Sequence, residues 1–199
     1  MKGISGIILG IGMILNMASA QNSTLSERLQ NGDVVFIRHK NFKASSVIPN
    51  GKTPYNYAGI VFIEKGIPMV FHANEPVSKT TFDNFLMMAD AGEFKVKRLT
   101  EPELLTEEVI GTMHAYATAK LNTHYDGKLS LSTDELYNAE FIYKIYRQAL
   151  GIKLTEPKAI GHLKQDAVTL DFLKEAYGDN IVNEKMVVLG DLYHSVYME

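Results

Sequence analysis

The chain has six histidines (His39, His72, His114, His124, His162 and His194) and no cysteine. Thiolate nucleophiles, thiolate-bound zinc and disulfides are therefore ruled out. No His-x-x-x-His or His-Glu-x-x-His run occurs, the spacing that sets two imidazoles on one helix face around a metal. His72 and Glu75 form a close His/carboxylate pair, for which placement in a turn is the simpler account. His124, Asp126 and Asp134 offer donors to a hard cation but fit no recognised binding loop. No metal and no cofactor is expected. Ser78, Ser130 and Ser132 supply hydroxyls near these groups, and none sits in a Gly-x-Ser-x-Gly elbow. His72 with a serine, a threonine or a water would be the minimal hydrolytic pair this chain can offer.

These residues need elements to hold them. After the turn signal Asn31-Gly32-Asp33, the run Val34-Val35-Phe36-Ile37 reads as a buried strand. Gly59–Ile63, the turn Glu64-Lys65-Gly66 and Met69–His72 read as a hairpin, with Pro68 tolerated near its second strand's start. The stretch from His39 to Tyr55 reads as a long loop. Thr80 to Met88 has a helical face of Phe82, Phe85 and Leu86, and Phe94 to Leu99 alternates as a half-exposed strand. Thr106 is the expected N-cap of a helix running to about Leu121, with Glu107 and Glu108 in its first turn. A capping box is expected from Ser132 to Glu135, ahead of a helix that turns Phe141, Ile142, Ile145, Tyr146 and Ala149 inward and stops at Gly151. A further helix spans Asp166 to Tyr177, and Val187-Val188-Leu189 reads as a late strand. Strands, then helices, then a strand again make the class α+β.

The amino terminus reads as an export signal, with an uncleaved anchor helix as the plainer alternative. Lys2 precedes an apolar stretch from Ile4 to Met17, and Ala18-Ser19-Ala20 supplies small residues for cleavage. The expectation is a signal peptide over residues 1–20, a single domain over 21–199, and a periplasmic or secreted fate. The stretch is short for a bilayer span, so no membrane anchor is expected after cleavage. A formal net charge of -3 without a clustered basic face argues against nucleic acid as a partner. Nothing in the sequence speaks to oligomeric state.

Three segments together resemble a known family. They are Gly32-Asp33-Val34-Val35-Phe36; Asn56-Tyr57-Ala58-Gly59-Ile60-Val61 with the hairpin to Phe71-His72-Ala73; and Tyr137-Asn138-Ala139-Glu140-Phe141-Ile142, continuing to Ala149-Leu150-Gly151-Ile152. Their order and spacing, over roughly Leu29 to Leu154, are similar to the permuted papain-fold hydrolases related to NlpC, the YiiX/YaeF-like branch. The resemblance implies a small antiparallel, partly barrelled sheet packed on helices. It also implies a cleft where the helix starting near Tyr137 faces the strand carrying Tyr57.

In that family a histidine precedes the Gly-Ile-Val strand, a polar residue, often Glu, follows on the next strand, and a cysteine opens the helix after a tyrosine. This chain has Tyr57, His72 and Asn138 at those positions, and it keeps Glu140. Asparagine cannot ionise and its amide is no useful nucleophile. A phenol whose ordinary pKa is near ~10 is a poor general base at neutral pH. No catalytic residue is therefore expected at these three positions. The resemblance implies a non-catalytic relative of cell-envelope cysteine amidases, holding a peptide, a peptidoglycan fragment or a lipid-like amide. Tyr57, His72, Tyr137, Asn138 and Glu140 are the candidate cleft residues. Each has a plainer reading: Tyr57 as a packed aromatic, Asn138 as a helix cap, His72 as a satisfied half-buried histidine, and Glu140 as an exposed or supporting helix residue. The alternative function is an active amidase or esterase rebuilt around His72 and a non-cysteine nucleophile.

Overall fold

The computed structural model describes residues 26–41, 52–163 and 167–199. The expected signal peptide lies outside them, as do residues 42–51 of the expected loop. Strands β1 (Val34–His39), β2 (Tyr57–Glu64), β3 (Ile67–His72), β4 (Ser78–Thr81) and β5 (Ala89–Lys97) form one antiparallel sheet in the order β4-β3-β2-β1-β5. The architecture is the expected α+β, and the sheet is open, with β4 and β5 as its two edges, and does not close into a barrel.

The hairpin turn lies at Lys65 and Gly66, with φ of 52° and 81°, the left-handed pair that matches strand twist. Pro68 pairs with Ile63 on one side and lies beyond the reach of β4, whose first partner on β3 is Met69. Its missing N–H therefore costs no ladder bond. Gly59 is required by proximity: a Cβ there would stand 2.4 Å from a Val70 methyl and 2.9 Å from the Phe71 carbonyl oxygen. β4 was not expected. Its Ser-Lys-Thr-Thr sequence carries no apolar alternation, and it pairs only as an edge. The helix expected from Thr80 is consequently shorter, α1 (Phe82–Leu86), and Thr81 caps it by accepting from Asn84 N–H.

Side-chain alternation splits the apolar residues between the two faces of the sheet. Val34, Phe36, Ala58, Ile60, Phe62 and Phe71 join the larger core with the helices. Val35, Ile37, Tyr57, Val61 and Val70 join a smaller one closed by Phe82 and Phe85. Helix α2 (Glu107–Ala119) is capped by Thr106 as expected. Helix α3 (Asn138–Leu150) packs against both α2 and β2 and buries Phe141, Ile142, Tyr143, Ile145 and Tyr146. Each such apolar side chain contributes about 2 kcal/mol by leaving water. Gly151, at φ 70°, ends α3 in the left-handed conformation.

Hydroxyls tie α3 at both ends. Tyr137 Oη accepts from Val187 N–H at 2.6 Å, and Tyr146 Oη donates to the Gly32 carbonyl at 2.6 Å. Ahead of β1, buried Asp33 takes both nitrogens of an Arg98 fork, at 2.7 and 2.8 Å.

After β6 (Lys158–Ala159) and α4 (Ala167–Tyr177) comes β7 (Lys185–Met186), which pairs with β6. The late strand expected at 187–189 is not formed. Val187 and Val188 are buried in extended linkage, and Leu189 opens helix α5 (Leu189–Tyr193). A short apolar run tells burial and not its geometry. Among the described residues, no helix is long and apolar enough to cross a membrane.

Candidate functional site

Tyr57 and His72 face each other on adjacent strands of the smaller core. Both are buried, at 0% and 2% exposure, so His72 is more enclosed than the half-buried histidine expected. Tyr57 Oη lies 2.8 Å from His72 Nδ1 and 3.1 Å from the Ala73 carbonyl oxygen. A carbonyl only accepts, so the one phenolic proton goes to Ala73 and His72 Nδ1–H donates to Tyr57. This is the assignment that satisfies both contacts. It fixes the imidazole tautomer and leaves Nε2 with its lone pair, 3.5 Å from Ser78 Oγ. Burial, and secondarily the charge of His39, lower the His72 pKa to about 4. His72 is therefore neutral at neutral pH. Burial first, then Tyr125, raise the Tyr57 pKa, so the phenol keeps its proton. The Phe85 ring stacks on Tyr57 and meets His72 edge-on, which excludes water from the pair.

Asn138 is the first residue of α3, but it is not the cap: Tyr137 is. The expected box from Ser132 to Glu135 lies ahead of the helix. Here Ser130 and Ser132 instead donate to Glu184. The box bond that forms lies five residues later, with Glu140 Oε2 accepting from Tyr137 N–H. Glu140 is fully buried, not exposed, and its other oxygen pairs with Lys144 Nζ at 2.7 Å. Burial raises the Glu140 pKa to about 7, against the lowering by Lys144. Asn138 is 3% exposed, and its side-chain N–H2 group is buried and meets no acceptor. Leaving such a donor unmatched costs about 1–3 kcal/mol.

Tyr125 forms a backbone bridge with Leu136, just ahead of α3. Burial first, then Asp126 and Glu140, raise the pKa of its phenol. Sequence reasoning missed Tyr125, and it missed His39, whose ring lies edge-on to Tyr57 at 5.1 Å. The structure does not pair His72 with Glu75. Glu75 accepts instead from His124 and from Tyr125 N–H, at 2.8 and 2.7 Å. A separate groove between the β2–β3 hairpin and α2 is lined by Phe62, Glu64, Lys79, Ile110 and His114, and by none of the five candidates.

With this geometry in hand, comparison with known proteins is decisive for kinship. Residues 28–194 match the family described as "Permuted papain-like amidase enzyme, YaeF/YiiX, C92 family". The chain belongs to this family. It is 30% identical over 162 residues to the uncharacterized protein YiiX of Escherichia coli (strain K12), covering 80% of this chain and 78% of that one. Its fold matches, with a TM-score of 0.75 and 24% identity, a crystal structure described as the metalloprotein yiiX from Escherichia coli O157:H7. That match covers 85% of this chain and 94% of the other. Among the described residues, no three His, Asp or Glu side chains gather closely enough to hold a metal ion.

Proposed function

We propose that this family member is a non-catalytic binding protein that uses the ancestral amidase cleft to hold a peptide, a peptidoglycan fragment or a lipid-like amide of the cell envelope. The observation that carries this reading is Asn138 at the head of α3. A helix N-terminus lowers a thiol's pKa and stabilises the anion that forms on attack. An amide at that position gains nothing from the field and cannot attack a carbonyl. Tyr57, where the family carries histidine, holds its proton under Phe85 and donates it to a backbone carbonyl, so it is no base. The export expected from residues 1–20 would bring the protein to that material.

Restoration tests the reading. The triple variant Asn138→Cys, Tyr57→His, His72→Glu would place a carboxylate beside an imidazole on strands whose side chains already touch at 2.8 Å. The expected result is acyl hydrolysis by the triple variant and none by the parent. Turnover by the parent that Asn138→Ala abolishes would overturn the reading.

A second reading rests on the His72 tautomer. Nε2 is unprotonated and faces Ser78 Oγ, the relation a general base bears to a hydroxyl nucleophile. The 3.5 Å separation is longer than a working hydrogen bond. Parent hydrolase activity lost in both Ser78→Ala and His72→Gln, and retained in Asn138→Ala, would favour it.

A further inference from the structure

The groove between the β2–β3 hairpin and α2 has a volume of about 590 Å³, within the size range of small-molecule sites. Its walls are tied together. Lys79 of β4 donates to both oxygens of Glu64, at 2.8 and 2.6 Å, and His114 of α2 donates Nε2–H to the same carboxylate at 2.8 Å. Lys79 first, helped by His114, holds that carboxyl below its usual range against the effect of burial. The bridge joins sheet to helix, and the His114 ring stands edge-on to Phe62 and Phe71, at 5.1 and 5.5 Å between centroids. A site with fixed walls loses little freedom when a ligand enters.

The groove also holds a glycine that no neighbour demands. Gly111 lies inside α2, and glycine in a helix interior is disfavoured. A Cβ there would meet nothing within 4 Å. The space it would enter is the groove, which Gly111 lines. Alanine would fit and strengthen the helix, so what glycine provides is room above the backbone.

Charge selects what fills that room. Glu64 is already matched by Lys79 and His114. Lys65 lines the hairpin wall and Glu107 the helix wall. Among the described residues, neither enters an ion pair. Phe62 and Ile110 add apolar surface. An unmatched cation and an unmatched anion on facing walls complement a ligand that carries both charges. We propose that this groove binds a short apolar peptide with free ends, its carboxylate toward Lys65, its amine toward Glu107 and a side chain over Gly111. None of the five candidate cleft residues lines the groove. It is a second site, and its fate is separate from that of the Asn138 reading.

The test titrates leucyl-leucine into the 15N-labelled protein by NMR. Saturable shifts of the Glu64, Ile110 and Gly111 backbone signals are expected. Acetylating the amine or amidating the carboxylate should each weaken binding about threefold, the worth of an exposed ion pair, and doing both about tenfold. Lys65→Gln should abolish the penalty of amidation alone, and Glu107→Gln that of acetylation alone. Gly111→Leu should remove binding while raising the melting temperature, since leucine fills the groove and favours the helix. Equal affinity for the doubly blocked peptide, or penalties that persist in both charge variants, overturns the pairing of charges. Leucine alone binding as tightly overturns the choice of a peptide. Unchanged binding in Gly111→Leu, or shifts confined to residues outside the groove, overturns the site, as does the absence of any saturable shift at millimolar leucyl-leucine.

Discussion

The start of β2 and the start of α3 solve the same problem differently. Each buries polar side chains against apolar neighbours. At β2, Tyr57, His72 and the Ala73 carbonyl close into a chain of bonds roofed by Phe85. At α3, Glu140 finds Lys144 and Tyr137 N–H, while Asn138 N–H2 finds nothing. Satisfied buried polar groups are structural until shown otherwise, and an orphan invites a functional account. The comparison marks the strand pair as a satisfied contact of the fold and Asn138 as a donor left over at the helix.

Four experiments sharpen or break that contrast. The largest effect belongs to the strand pair. Tyr57→Ala should cost about 3–5 kcal/mol in urea unfolding, from the cavity under Phe85 and the stranded His72. A cost below about 1 kcal/mol would show that the pair is not structural.

Next come two opposed pH slopes. His72 is lowered from 6.5 to about 4, so the native state binds fewer protons between those values. Its stabilisation is complete above 6.5 and is lost as pH falls toward 4. Glu140 is raised from 4.5 to about 7, so the native state binds more protons there. Its stabilisation is complete below 4.5 and is lost as pH rises through 7. Each slope is worth up to about 3 kcal/mol, and over their shared range they offset. Glu140→Gln should expose a stability that rises with pH, and His72→Gln one that falls. Urea midpoints from pH 4 to 8 read both. Unchanged slopes in both variants would refute the burial of these charges.

Tyr57→Phe keeps the ring and removes the relay, leaving His72 Nδ1–H and the Ala73 carbonyl unmatched. About 2 kcal/mol is expected by thermal or urea unfolding. The smallest effect has the opposite sign. Asn138→Leu should stabilise the fold by about 1 kcal/mol, because it deletes a buried donor that no group answers. Destabilisation by that change would mean that Asn138 serves the fold as Tyr57 does.

The sequence read well where local chemistry decided the outcome. The Lys65-Gly66 hairpin, the Thr106 cap and the Gly151 stop each depend on residues within a few positions. It read poorly where distant partners decided. Ser132 and Glu135 have the composition of a capping box, but Glu184 claims Ser132 from 52 residues away. β4 exists because β3 offers an edge, and its own residues announce nothing. The run at 187–189 is apolar because it is buried, and Tyr137 fixes its course by accepting from Val187 N–H. For the site, resemblance to the family singled out Tyr57, His72 and Asn138; the structure pairs the first two and sets the third in the first turn of α3. Burial of Glu140 was not, because a glutamate in a first helical turn ordinarily faces water. Tyr125 lies in an irregular segment with no periodicity to mark it, although its backbone bridges to Leu136 just ahead of α3.

The phenols at the two ends of α3 have a mechanical consequence. Anchored to Val187 at one end and to Gly32 at the other, the rod cannot slip along its own axis without breaking a bond on opposite sides of the molecule. The helix is thus a fixed floor for the residues at its head, and adjustment of this region falls to the segments around α3 while the helix itself stays put.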